Sequence, residues 1–183
     1  MELRAEPVLR SKRKAEIRAI YCAAFPKEER MPFPLMVGMS CLWNTDFLAF
    51  YDGEVLFGLA YLATVGKQSF LMFFAVKEEL RSKGYGGRIL ECLRSLHPHH
   101  LRIVSIEPCR GEEAQLAQRL RRKAFYLRNG YRETGYFMRL AGQDQEILAE
   151  NGVFRPRAFR SFFLLYSCCT MIPKIWKADG KGV

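Results

Sequence analysis

Three apolar runs, at residues 47–51, 55–65 and 70–76, follow one another with only Asp52-Gly53 and Gly66-Lys67 at the breaks, and no other feature constrains the fold as strongly. Asp-Gly is a strong hairpin signal, because glycine takes the positive φ that a tight turn between twisted strands requires. The runs therefore read as three consecutive antiparallel strands. The third leads through a polar turn into Arg81-Ser82-Lys83-Gly84-Tyr85-Gly86-Gly87, after which Ile89, Leu90, Leu93 and Leu96 recur at helical spacing. His97-Pro98 closes that helix ahead of a further apolar strand at 101–106.

Around this centre the periodicity is helical. Residues 11–25 put Ala15, Ile17, Ile20, Tyr21, Ala24 and Phe25 on one face. Pro26, Pro32 and Pro34 then break the pattern, so 26–35 reads as a loop carrying Lys27, Glu28, Glu29 and Arg30, a candidate substrate lid, with a short helix at 35–43. Residues 112–129 form a second strong helix, closed by Asn129-Gly130 in the manner of a glycine cap. Strands are expected at 131–140 and 145–148, and the aromatic tail at 154–172 reads as a last helix. The order is βα(α)βββαβαββα, an α/β (α+β) fold whose mixed, mostly antiparallel sheet of about six or seven strands is flanked by helices. Residues 1–150 are expected to form the domain, and 151–183 an apolar helical tail packed on it.

At 183 residues the chain is long enough for one well-buried core. Its 29 Lys and Arg against 19 Asp and Glu give +10, which concentrates anionic partners such as nucleotides, phosphorylated cofactors or RNA. Cys22, Cys41, Cys92, Cys109, Cys168 and Cys169 show no C-x-x-C spacing and read as free thiols of a reducing compartment. The charged N-terminus and a longest apolar run of only 162–173, too short to span a bilayer, point to a cytoplasmic protein with no membrane span.

A glycine-rich turn opening a helix has a chemical use. Without side chains, consecutive N–H groups can converge on one anion, and the helix dipole favours negative charge. A dinucleotide fingerprint would need a third glycine where Ile89 stands, and a Walker loop would need G-K-[ST], whereas Lys83 precedes Gly84. What matches is R-x-x-G-x-G at Arg81, Gly84 and Gly86. With Phe73-Phe74-Ala75-Val76 before it and Ala124-Phe125-Tyr126-Leu127-Arg128-Asn129-Gly130-Tyr131 about 40 residues later, the sequence resembles the GNAT superfamily of N-acetyltransferases from about residue 1 to residue 150.

The resemblance implies acetyl-CoA as co-substrate and no metal. Its pyrophosphate would be held by Arg81, Ser82, Lys83, Gly84, Tyr85, Gly86, Gly87 and Arg88, and its pantetheine arm would pair with the backbone of Phe74, Ala75 and Val76. Tyr126 matches the family's tyrosine that protonates the leaving thiolate; the structural alternative is a packed tyrosine. Glu107, at the end of a strand, is the candidate general base, with substrate contact and a solvated strand-end charge as alternatives. Arg119 stands where the family often has Asn, and the run Arg119, Arg121, Arg122, Lys123 and Arg128 reads mostly as a solvated face with some members near cofactor phosphates. His97, His99 and His100 read as loop residues rather than metal ligands.

The expected function is acetyl transfer to an amine of a small molecule or protein. A non-catalytic acetyl-CoA sensor is the alternative, and RNA binding has no motif to support it, so no nucleic acid partner is expected. Residues 26–45 and the hairpin after residue 131 would choose the acceptor, and Glu28, Glu29 and Asp46 would suit a cationic one. The aromatic tail would dock on the sheet, make a homodimer contact or touch a membrane surface.

Overall fold

The computed structural model describes residues 3–42, 44–110, 113–140, 142–168 and 170–178; Trp43, Glu112 and Cys169, each part of an expected feature, lie outside them. The elements are β1 (Leu3–Pro7), α1 (Lys14–Ala24), a 3-10 turn (Lys27–Glu29), α2 (Phe33–Met39), β2 (Thr45–Asp52), β3 (Val55–Val65), β4 (Gln68–Val76), a second 3-10 turn (Glu78–Leu80) and α3 (Tyr85–Leu96). They continue with β5 (Leu101–Ile106), α4 (Glu113–Arg128), β6 (Arg132–Leu140), β7 (Gln143–Glu150), α5 (Pro156–Tyr166) and β8 (Lys174–Lys177). Among the described residues eight strands are hydrogen-bonded in the order β1-β2-β3-β4-β5-β7-β6-β8, one more than the upper expectation of seven.

The chain forms two compact units. The first comprises Met1–Ala63 and Leu71–Pro98. Its hairpin pairs Asp52 with Val55 around Gly53, whose φ of 55° is the left-handed turn conformation expected of Asp-Gly. Ile17 and Tyr21 of α1, Met36 of α2, and Phe47, Leu59, Tyr61 and Phe73 of the strands make its core. The rings meet largely edge to face, Tyr21 on Phe73 at 5.1 Å and Phe47 on Tyr61 at 5.3 Å, the geometry aromatic quadrupoles favour. α2 begins at Phe33, ahead of the expected start, because a proline in the first helical turn loses no hydrogen bond and Pro34 sits there.

Phe57 and Gly58 of β3 turn toward α3: the Phe57 ring lies 4.5 Å from that of Tyr85. A Cβ on Gly58 would stand 2.6 Å from the Ala75 carbonyl oxygen of β4 and 3.0 Å from the Ile89 methyl of α3. Only glycine permits that approach, and Ile89, Leu90 and Leu93 bury themselves on α3's inner face as a result.

The second unit comprises Thr64–Phe70 and His99–Val183. β5 pairs antiparallel with β7, β7 with β6, and β6 with β8. α5 carries Phe159, Phe162 and Phe163, whose rings surround Phe70 at 5.3, 6.3 and 5.5 Å. The Gln68 side chain donates to the Ala158 carbonyl at 3.3 Å. The aromatic tail thus docks on the start of β4, and its helix ends at Tyr166, short of the expected 172. The chain then returns as β8, where Trp176 stacks on Phe137 at 6.1 Å; four residues behind a proline carry too little alternation to announce a strand.

Gly58→Ala should lower the free energy of unfolding by about 1–3 kcal/mol, since the clash is with backbone and not with a flexible side chain. Urea denaturation measures it, and an unchanged midpoint would show that β4 and α3 do not need the close approach.

Candidate active site

In the first unit the backbone between β4 and α3 is shaped for an anion. The Lys77 amide donates to the Phe57 carbonyl at 2.8 Å, and the 3-10 turn comes next. Ser82 and Gly84 then both take left-handed conformations, with φ of 62° and 84°. Left-handed residues alternating with ordinary ones curl the chain into a concave row of N–H groups. Gly84 is the residue before α3, no side chain caps the helix, and its first turn holds no acidic residue. The first hydrogen bond onto the cap runs from the Arg88 amide to the Gly84 carbonyl at 3.3 Å, so the N–H groups of Tyr85, Gly86 and Gly87 are the orphan donors of the helix start.

Side chains reinforce this polarity. The Tyr85 hydroxyl donates to the Asp52 carboxylate at 3.0 Å, which draws its ring onto Phe57 and away from the loop. Arg81, Ser82 and Lys83 are exposed along the loop. The Arg81 guanidinium holds the Val76 carbonyl at 3.4 Å and lies 3.9 Å from Glu78, an exposed pair too weak to commit it. Phe74 and Val76 share the half-buried face of β4, and Phe73 and Ala75 the buried one.

In the second unit, α4 ends as its sequence predicts. Gly130 has φ 89°, and the Tyr131 amide reaches back to the Tyr126 carbonyl at 3.1 Å, a Schellman closure. Tyr126 is 5 % exposed and packs edge to face on Phe125 and Tyr131. Burial raises its pKa far above the ordinary tyrosine range, only partly offset by Arg122, so the hydroxyl holds its proton.

Glu107 follows β5. Its Oε2 accepts from Arg119 Nε at 2.7 Å and its Oε1 from Arg122 at 3.0 Å. Burial pushes the Glu107 carboxyl up, but the two guanidiniums outweigh that and hold it below the usual carboxylate range. Arg119 also donates to the Arg110 carbonyl. Lys123 binds Glu146 of β7 at 2.7 Å and Glu133 of β6 at 3.0 Å. Burial alone would lower the Lys123 pKa, yet these carboxylates raise it.

Much of the basic run is therefore not solvated: Arg119, Arg122 and Lys123 are committed to glutamates, while Arg121 and Arg128 are exposed. Their spacing of i, i+3 and i+4, continued by Tyr126 at i+7, marks one helix face and was the available signal. The histidines take separate partners, His97 the Asp46 carboxylate at 2.8 Å and His100 the Ser69 hydroxyl at 2.7 Å. Among the described residues no group of three His, Cys, Asp or Glu side chains is placed to hold a metal. Cys22, Cys41, Cys92, Cys109 and Cys168 carry free thiols. Residues of α1 and α2 line a groove of about 420 Å³: Lys14, Ala15, Arg18, Phe33, Pro34 and Val37.

A lowered folded-state pKa at Glu107 contributes stability that is complete above the unfolded carboxylate range and is lost as pH falls through the folded value. The melting temperatures of the wild type and Glu107→Gln should differ at neutral pH and converge on acidification. A gap that stays constant down to strongly acid pH would contradict the pairing.

No family model matches the sequence, and no curated protein does. Solved structures do match. A protein from Bacteroides thetaiotaomicron assigned to the GNAT family of acetyltransferases superposes with a TM-score of 0.69 at 16% identity, covering 91% of this chain and 98% of that one. An aminoglycoside 6'-N-acetyltransferase complexed with coenzyme A gives 0.65 at 15%, over 85% and 99%. A GNAT family acetyltransferase from Elizabethkingia anophelis with acetyl-CoA bound gives 0.55 at 12%, over 81% and 97%. Likeness over nearly the whole of each of these chains, at identities this low, establishes the architecture: the chain has the fold of the GNAT-family acetyltransferases.

Proposed function

We propose that this chain is an N-acetyltransferase that moves the acetyl group of acetyl-CoA onto an amine. The observation that carries the reading is the uncapped start of α3, preceded by the left-handed Ser82 and Gly84, in a fold shared with acetyltransferases solved with coenzyme A or acetyl-CoA. Arg81, Ser82, Lys83 and Arg88 and the N–H groups of Gly84, Tyr85, Gly86 and Gly87 hold the pyrophosphate. The convergent amides and nearby positive charge fit a dianion and would leave a neutral ligand's donors unmatched. The backbone of Phe74, Ala75 and Val76 receives the pantetheine arm as an added strand.

When bound, acetyl-CoA supplies an activated thioester carbonyl. The amine, in its neutral form, attacks the carbonyl carbon, the C–S bond breaks as the C–N bond is completed, and the amine's proton leaves to water. The protein's part is to donate an N–H of β4 to the oxygen that becomes negative and to deliver a proton to the departing sulfur. Tyr126 is assigned the proton, and its raised pKa keeps it loaded at any working pH. The acceptor is a small-molecule or protein amine. The cytoplasm is the assigned location, because six cysteines without paired spacing suit a reducing compartment.

Calorimetric titration with acetyl-CoA tests the cradle. Micromolar binding is expected, and Gly86→Glu should abolish it by placing a carboxylate in the pyrophosphate site. Amine-dependent release of free CoA tests the chemistry. Tyr126→Phe should cut kcat by about 100-fold while leaving acetyl-CoA affinity unchanged. Failure of the folded wild type to bind would sink the proposal. Binding without turnover across a broad amine panel would instead favour a non-catalytic acetyl-CoA sensor.

A further inference from the structure

Along α4, Arg119, Arg122, Lys123 and Tyr126 recur at i, i+3, i+4 and i+7, so all four side chains project from one face of the helix. Such a face is ordinarily apolar. Here its cations meet three glutamates supplied by three successive neighbours of the half-sheet: Glu107 just beyond β5, Glu146 on the central β7 and Glu133 on β6. Arg119 and Lys123 are about four-fifths buried on their side chains and Glu146 nine-tenths, so the Lys123–Glu146 contact belongs to the seat of the helix, while Glu107, Arg122 and Glu133 reach its rim.

We propose that these ion pairs set the position and register of α4 on the strands, and that Glu107 is a positioning residue that holds Tyr126 in place through α4, not the proton acceptor of the reaction. An apolar face tolerates sliding, because one buried methyl group replaces another at similar cost. Paired charges tolerate it less: moving α4 by one turn, about 5.4 Å, exchanges the places of Arg119 and Lys123 in one direction or the other and leaves either Glu107 or the Glu146 and Glu133 pair without a cation. Tyr126 lies one turn beyond Lys123, and the Schellman closure at Gly130 anchors the other side of it. Each Glu107 oxygen accepts from a guanidinium, and two positive charges in contact with the carboxylate disfavour its taking up an amine proton.

Amide hydrogen exchange of the intact protein tests the register, and the kinetic arm rests on the proposed acetyltransferase function. Glu107→Gln, and separately Arg119→Gln with Arg122→Gln, should each speed exchange of the amides in 116–126 by tenfold or more. The strands should stay protected, and combining the changes should add little, because each breaks the same contact. Arg119→Lys should recover part of the protection. In turnover, Glu107→Gln should lower kcat by one factor at every pH, with the acidic limb of the profile unmoved.

Unchanged α4 exchange, or loss of the acidic limb with α4 still protected, would overturn the proposal and restore Glu107 as the base. If the wild type transfers no acetyl group, the exchange result still decides the register, while the functional reading falls by itself. Should Glu107→Gln fail to fold, Arg119→Lys compared with Arg119→Gln decides the same question.

Discussion

The approach of β3 to the Ala75 carbonyl, made feasible by Gly58, sets how closely β4 and α3 pack in the first unit. With no side chain at that point, Ile89 reaches the floor of α3 and the helix begins close behind the end of β4. The eight residues between them, 77–84, reverse the chain through a 3-10 turn followed by left-handed Ser82 and Gly84. The same conformations that complete the reversal leave the first N–H groups of α3 without side-chain partners. The proposed phosphate cradle is thus a by-product of close packing, built from backbone and needing few specialised side chains.

The two units are stabilised by different physics. Rings and aliphatic side chains fill the first between α1, α2 and the strands, where burial acts without directional demands. In the second, α5 presents a phenylalanine cluster, whereas α4 is seated by arginine, lysine and glutamate. Half-buried ion pairs add modestly to stability but penalise every alternative register, because a misplaced charge loses its partner in a poorly solvated place. Precision at Tyr126 is the return for that arrangement.

Glu107 illustrates how one residue changes meaning between sequence and structure. At the end of an apolar strand, a lone carboxylate is a natural candidate for base, substrate contact or solvated charge. Two guanidiniums, 12 and 15 residues away in the chain, occupy its oxygens, an arrangement that none of those readings contained. His97 and Asp46 tell a similar story: a loop histidine and a candidate acceptor contact turn out to bind each other at 2.8 Å.

Local backbone demands were legible in the residues themselves. Asp52-Gly53, Arg81-x-x-Gly84-x-Gly86 and Asn129-Gly130 specify positive φ within a few positions, and the turn, the helix start and the helix cap all lie where those residues place them. Predominantly apolar runs bounded by turn residues located β3 and β5 to the residue, because a strand covered on both faces needs apolar side chains along most of its length. Tertiary structure alone decided which residues meet. Nothing in the sequence singles out Gly58 before Ala75 lies against it, the basic run read mostly as solvated until Glu107, Glu133 and Glu146 were brought to it, and β8 had no signal before β6 gave it an edge. The reason is physical: a dihedral preference belongs to a residue and its immediate neighbours, while a close contact or an ion pair is a property of two segments that only folding brings together.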